Sequence, residues 1–128
     1  QGIYTCSLHC EQNYPFQKRQ GTRDVPLNSH LEDTEYLNQL HRTLAEISRE
    51  FTPELVLYDA GVDVFLGDKL GNLDLTREGI LKRDCMVLEY FKKRDIPIAT
   101  VIGGGYSPTD ADTAQRHMSI FHAATSVF

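Results

Sequence analysis

Apolar residues recur along this chain with two different periods, and the switches between them mark out alternating elements. Residues 2–8, Gly-Ile-Tyr-Thr-Cys-Ser-Leu, are β-prone and predict a strand. Residues 9–31 are polar and interrupted by Pro15, Gly21 and Pro26, which predicts a long loop of the kind compact domains keep for function. From Asp33 or Thr34 onward, Tyr36, Leu37, Leu40, Leu44, Ile47 and Phe51 return about every 3.6 residues, so a helix is predicted there, stopped by Pro53. Leu55-Val56-Leu57-Tyr58 is a continuous apolar run, which predicts a strand buried on both faces. A Gly-rich loop follows from Ala60 to Leu73. Thr76 then suits the N-cap of a helix to about Arg94, with Ile80, Val87, Leu88 and Phe91 inward. Residues 96–102 form the next strand, with Pro97 near its start, where proline is tolerated. Gly103-Gly104-Gly105-Tyr106 breaks it. Thr109 or Asp110 caps a last helix to about Thr125, with Asp112 in its first turn.

This β-loop-α-β-α-β-α order predicts an α/β fold, a parallel sheet with right-handed crossovers and helices on both faces. With 128 residues, 41% of them apolar and 24% charged, the chain can build one core, and no internal repeat or domain boundary divides it. No apolar run approaches bilayer length, so no membrane partner is expected. A net charge of −5 argues against nucleic acid, which calls for a basic surface. Cys6, Cys10 and Cys85 are odd in number and include no Cys-x-x-Cys unit. That pattern fits reduced thiols in a cytoplasmic protein better than a disulfide framework or a zinc ribbon. The start, Gln1-Gly2-Ile3-Tyr4-Thr5-Cys6, has neither a basic n-region nor an apolar h-region, so it does not read as a signal peptide. Entering directly on a strand without Met, it reads as a cut piece of a longer chain.

Candidate chemistry changes the picture. In an open parallel sheet, ligands bind beyond the carboxyl ends of the strands. The first strand leads there to Ser7-Leu8-His9 and then Asn13-Tyr14-Pro15-Phe16. The second leads to Asp59-Ala60-Gly61-Val62-Asp63 and Gly67-Asp68-Lys69-Leu70-Gly71, and the third to Gly103-Gly104-Gly105-Tyr106. Each has an ordinary reading when taken singly. An Asp after a strand forms turns or caps helices, a Gly triplet makes a tight turn, and a lone Tyr packs with its hydroxyl bonded. Their coincidence on one edge of the sheet favours a site. A phosphate-binding loop fits poorly, because Gly-x-x-x-x-Gly-Lys-Ser/Thr is absent and Pro108 follows Ser107.

Together these segments resemble the histone deacetylase superfamily, with its acetylpolyamine amidohydrolases and bacterial acetoin-utilisation-type proteins. The match spans almost the whole chain and is most specific in Gly61-x-Asp63, Gly67-Asp68-x-Leu70-Gly71 and Leu75-Thr76. The wording looks closest to the bacterial and class IV branch. The resemblance implies an arginase-like deacetylase fold, of which residues 1–128 would be the C-terminal portion of a single catalytic domain. It also implies Zn²⁺, held in the family by one Asp and one His of an earlier Asp-x-His segment and by a later Asp, which Asp63 matches. A carboxylate oxygen suits Zn²⁺, and such a site keeps a position open for water and substrate. Tyr106 matches the catalytic Tyr, whose hydroxyl donates to the oxyanion of the tetrahedral intermediate. Gly104 and Gly105 would let the backbone approach the substrate, and Tyr14 and Leu70 match positions walling its tunnel. Ser7 and Leu8 match positions binding a structural monovalent cation such as K⁺, through side chain and carbonyl. The implied substrate is an acetylated lysine or a small acetylated amine.

The departures are Phe65, where many bacterial relatives carry His, and Lys69, where they carry Pro. Neither is a zinc ligand in the family, so altered loop packing is expected. No Asp-x-His segment or tandem His pair, the family's general base and acid, stands in these 128 residues. His117 and His122 lie five apart on a predicted helix and share no face. His30 and His41 have no ligand spacing, and His9 is expected to orient its loop. The expectation is therefore a zinc-dependent deacetylase as the full-length protein, with this polypeptide alone inactive. Alternatives are a non-catalytic pseudoenzyme or a module that self-associates through an uncovered sheet edge.

Overall fold

The computed structural model describes residues 2–128. Its elements run β1 (Cys6–Cys10), β2 (Arg23–Leu27), α1 (Asp33–Glu50), β3 (Val56–Asp59), α2 (Arg77–Lys92), β4 (Ile98–Val101) and α3 (Asp110–Val127). The strands form two parallel pairs, β1 with β2 and β3 with β4. The expected parallel α/β arrangement is present, as two ribbons among the described residues.

Two expectations need correction. The segment 9–31 is not all loop, because β2 pairs with β1 in the register Cys6 to Arg23 through Cys10 to Leu27. Val25 and Leu27 alternate inward and are buried, while Pro26 sits between them on the exposed face. The apolar run at β3 is not buried on both faces either. Val56 and Tyr58 pack on the core, whereas Leu57 is 77% exposed and Val101, on the partner strand, 56%. The helices of this chain cover one face of that ribbon only.

The helices begin where local chemistry dictates. Thr76 accepts the Gly79 N–H as the N-cap of α2, and Thr109 accepts the Asp112 N–H as the cap of α3. Asp33, in the first turn of α1, accepts both the N–H and the hydroxyl of Thr76 at 2.8 and 2.6 Å, which ties α1 to the start of α2. The central element is α2. One flank joins Tyr36, Leu40 and Leu44 of α1 and the β1–β2 residues Cys10, Val25 and Leu27 around Ile80, Val87 and Phe91. Its other flank packs Leu88 against Ile120 and Ala123 of α3 and Ala60 at the end of β3. A helix buried on two sides must place its polar residues where partners await them, as Arg83 and Asp84 show below. No helix among the described residues is long and apolar enough to cross a membrane.

Candidate functional site

Beyond the carboxyl ends of β3 and β4 the two segments run on side by side. The N–H of Ala60 donates to Val101 O at 2.9 Å, that of Val62 to Gly103 O at 3.0 Å and that of Lys69 to Tyr106 O at 3.3 Å. The acidic loop after β3 is thereby zipped onto the glycine turn after β4. The glycines are what allow it. A Cβ on Gly103 would stand 2.5 Å from Asp59 Oδ1, and one on Gly104 only 2.9 Å from Asp63 Oδ2, so any side chain would collide with a carboxylate. Gly104 also has φ +59° and Gly105 φ +100°, both in the left-handed region.

Asp63 and Tyr106 therefore belong to one rim. Asp63 also lines a cleft of about 270 Å³ with Ser7 and Leu8 of β1, Asp59, Tyr36 and Arg83. Burial raises the Asp63 carboxyl above its usual range, and the neighbouring carboxylate of Asp68 adds to the rise while Arg83 opposes it. An acid in this setting gains from a cation. Ser7 and Leu8 face the same cleft, although the Ser7 hydroxyl is bonded to His9 Nδ1 at 3.0 Å. His9 lies within β1, so this bond joins two residues of one strand.

Four further charged residues shape the site, and sequence reading gave none of them a role. The Asp68 side chain is fully buried. Its Oδ1 accepts the N–H groups of Leu70 and Gly71 at 3.0 and 2.9 Å, and its Oδ2 accepts the N–H of Tyr106 at 2.6 Å. The guanidinium of Arg116 lies 3.7 Å from the same oxygen and 4.0 Å over the Phe65 ring. Phe65 thus forms the floor under an arginine. Arg83 donates through Nη1 to Gly61 O at 2.6 Å and through Nε to Asp84 Oδ1 at 2.9 Å. Its Nη2 is in ion-pair contact with Asp84 at 2.8 Å without the alignment of a hydrogen bond. Asp84 also accepts the hydroxyls of Tyr58 and Ser119 at 2.7 and 2.8 Å. One signal was available: Arg83-Asp84 is a charged pair on a helix whose neighbours point inward. For Asp68 the signal was its place in the quoted Gly67-Asp68 string.

Tyr14, Phe16, Leu70 and Tyr106 are exposed on the loops that follow β1, β3 and β4, at 86%, 82%, 66% and 56% exposure. Asn72 Nδ2 donates to Asn13 Oδ1 at 2.6 Å, so the loop of Tyr14 is tied to the loop of Leu70. His30, bonded to Asp74 at 2.9 Å, is on the exterior. His117 and His122 are on α3, and His41 is on the exposed side of α1.

The donor chemistry suits a hard or borderline cation, since Asp63 offers a carboxylate to the cleft, whereas both oxygens of Asp68 are taken by main-chain N–H groups. Among the described residues no three His, Cys, Asp or Glu side chains are placed to hold a metal ion together. These residues fit part of a zinc site, and further ligands are needed to complete one.

Residues 1–121 match the histone deacetylase domain. The chain is 40% identical over 126 residues to an uncharacterised protein of Picosynechococcus, covering 98% of this chain and 42% of the relative. It is 35% identical over 112 residues to histone deacetylase 2 of Arabidopsis thaliana, covering 85% and 29%. Among solved structures, an HDAC homolog from Aquifex aeolicus superposes with TM-score 0.75 at 27% identity, covering 94% of this chain and 35% of that one. An acetylpolyamine aminohydrolase from Burkholderia pseudomallei shares the fold with TM-score 0.75 at 18% identity, covering 94% and 37%. The chain thus spans less than half the length of these relatives.

Proposed function

The chain belongs to the histone deacetylase family, and on that premise we propose that the whole protein hydrolyses the amide of an acetylated amine, with this chain supplying the acidic and phenolic side of the site. The observation that carries this reading is the meeting of Asp63, Asp68 and the backbone of Tyr106 at the turn of residues 103–106. Overall, water adds to the acetyl carbon, the C–N bond breaks, and the amine leaves carrying a proton while acetate remains. The Tyr106 hydroxyl donates to the oxyanion that forms as water adds. Tyr14 and Leu70 flank the entrance and hold the methylene stem of an acetyl-lysine or a small acetylated amine.

Asp63 is the carboxylate proposed to hold zinc, with the remaining ligands and the general base supplied from outside this chain. When bound, zinc supplies Lewis-acid polarisation of the carbonyl and a more acidic water. Asp68, buried with both oxygens accepting main-chain N–H groups, holds the turn in place and is not free to bind a metal. Ser7 and Leu8 are proposed to serve a monovalent cation such as K⁺ in the adjoining cleft. The test is metal analysis of the purified whole protein beside amine release from an acetyl-lysine peptide and from an acetylpolyamine. Stoichiometric zinc and turnover of either substrate support the reading. Zinc-loaded protein that releases amine from neither favours the non-catalytic alternative.

The polypeptide alone is proposed to be inactive and to self-associate through the open face of β3 and β4, where Leu55, Leu57, Val101 and Ile102 are each more than half exposed. A clean monomer in analytical ultracentrifugation counts against that.

A further inference from the structure

Residues 11–18 form no strand or helix, yet they carry two of the most exposed aromatic rings of the chain. Tyr14 and Phe16 meet edge to face with centroids 6.4 Å apart, and both stand clear of the core. Such a loop has no apolar packing to fix it, and its order comes from a polar anchor. The Lys18 ammonium donates to the carbonyl oxygens of Glu11, Asn13 and Pro15 at 3.1, 2.6 and 2.8 Å. An ammonium has only three protons to give, so the whole donor capacity of Lys18 goes to carbonyls on either side of Tyr14. Among the described residues no carboxylate is paired with Lys18. The loop so closed is joined through Asn13 and Asn72 to the segment carrying Leu70.

We propose that Lys18 is a positioning residue for substrate: its ammonium gathers three main-chain carbonyls and so sets the aromatic rim of Tyr14 and Phe16 at the entrance to the site. This rests on the deacetylase reading given above. Lys18 bonds to none of Asp63, Asp68 or Tyr106, so its effect falls on how the acylated amine is held and not on the bond-breaking step. Without the ammonium, the three carbonyls turn to water and the rim samples many arrangements. Binding must then restore the order that Lys18 had provided beforehand.

The experiment uses the zinc-loaded whole protein with Lys18→Met, which keeps most of the apolar stem, and Lys18→Arg, which keeps the charge but not the tetrahedral donor set. Two readouts are taken. The first is steady-state kinetics on an acetyl-lysine peptide. KM is expected to rise about tenfold in Lys18→Met, the scale of losing charge-assisted hydrogen bonds, with kcat within about twofold of wild type and Lys18→Arg intermediate. The second is chymotryptic cleavage after Phe16 at a temperature where the protein is folded, which needs no activity. Cleavage is expected to accelerate in Lys18→Met and less in Lys18→Arg. Unchanged cleavage in Lys18→Met overturns the clamp, and faster cleavage with an unchanged KM overturns its role toward substrate. A wild-type protein without turnover, yet with the expected cleavage pattern, sinks the deacetylase reading and the substrate role together while the clamp stands.

Discussion

The backbone N–H of Tyr106 donates to the buried carboxylate of Asp68 at 2.6 Å, across 38 residues of sequence. Because the other oxygen of Asp68 accepts Leu70 and Gly71, a single carboxylate closes its own loop and fastens the glycine turn to it. Asp68→Asn presents an N–H₂ to one of these N–H donors, so a buried donor loses its acceptor. The expected cost is about 1–3 kcal/mol in folding free energy, read from the midpoint of urea denaturation, with turnover of the whole protein falling as Tyr106 loses its support. An unchanged midpoint and unchanged turnover would show that this contact holds nothing in place.

The charge of Asp63 sets a pH dependence. Burial and the Asp68 carboxylate raise its pKa in the folded state. An acid whose folded pKa lies above its unfolded one is best accommodated when protonated. Its contribution is present below the unfolded pKa and is lost as pH rises through the folded pKa. In metal-stripped whole protein, Asp63→Asn is therefore expected to melt higher than wild type at neutral pH, by about 1–3 °C. The difference should close as pH falls below the carboxylate range. Adding zinc reverses the order, since a ligand of the folded state stabilises wild type by mass action and the variant less. Differential scanning fluorimetry over a pH series, with and without zinc, checks both halves.

Asp84 is 1% exposed and collects Arg83, Tyr58 and Ser119 from α2, β3 and α3. Asp84→Ala leaves the Arg83 charge buried without its partner, an expected loss of about 3–5 kcal/mol. Tyr58→Phe removes one hydroxyl and is expected to cost about 1 kcal/mol. Equal effects of the two in equilibrium denaturation would contradict this account of the network.

The helices were legible in the sequence because their periods and caps are local. Tyr36, Leu40 and Leu44 turn inward, and Thr76 and Thr109 accept their first-turn N–H groups. The strand β2 was not legible, since Arg-Asp-Val-Pro-Leu offers only Val25 and Leu27 to the core and Pro26 reads as a breaker. Its pairing with β1 is a tertiary fact. At β3 the apolar run promised burial that the helices of this chain supply on one face alone, leaving Leu57 outside. At the proposed site, Asp63, Tyr106 and the glycines stand in recognisable motif strings, and main-chain bonds bring those strings together. Asp68 and Lys18 were missed because a turn-forming Asp and a surface Lys look the same in sequence whether or not they grip a loop. Their roles depend on which N–H or carbonyl the fold brings to them.

The most direct test of the account is turnover of Tyr106→Phe in the whole protein on an acetyl-lysine peptide, with zinc content measured on the same sample. Loss of the oxyanion donor should lower kcat about a hundredfold or more while zinc stays at the wild-type level. Turnover equal to wild type at full zinc occupancy would contradict the placement of this phenol beside the reacting carbonyl.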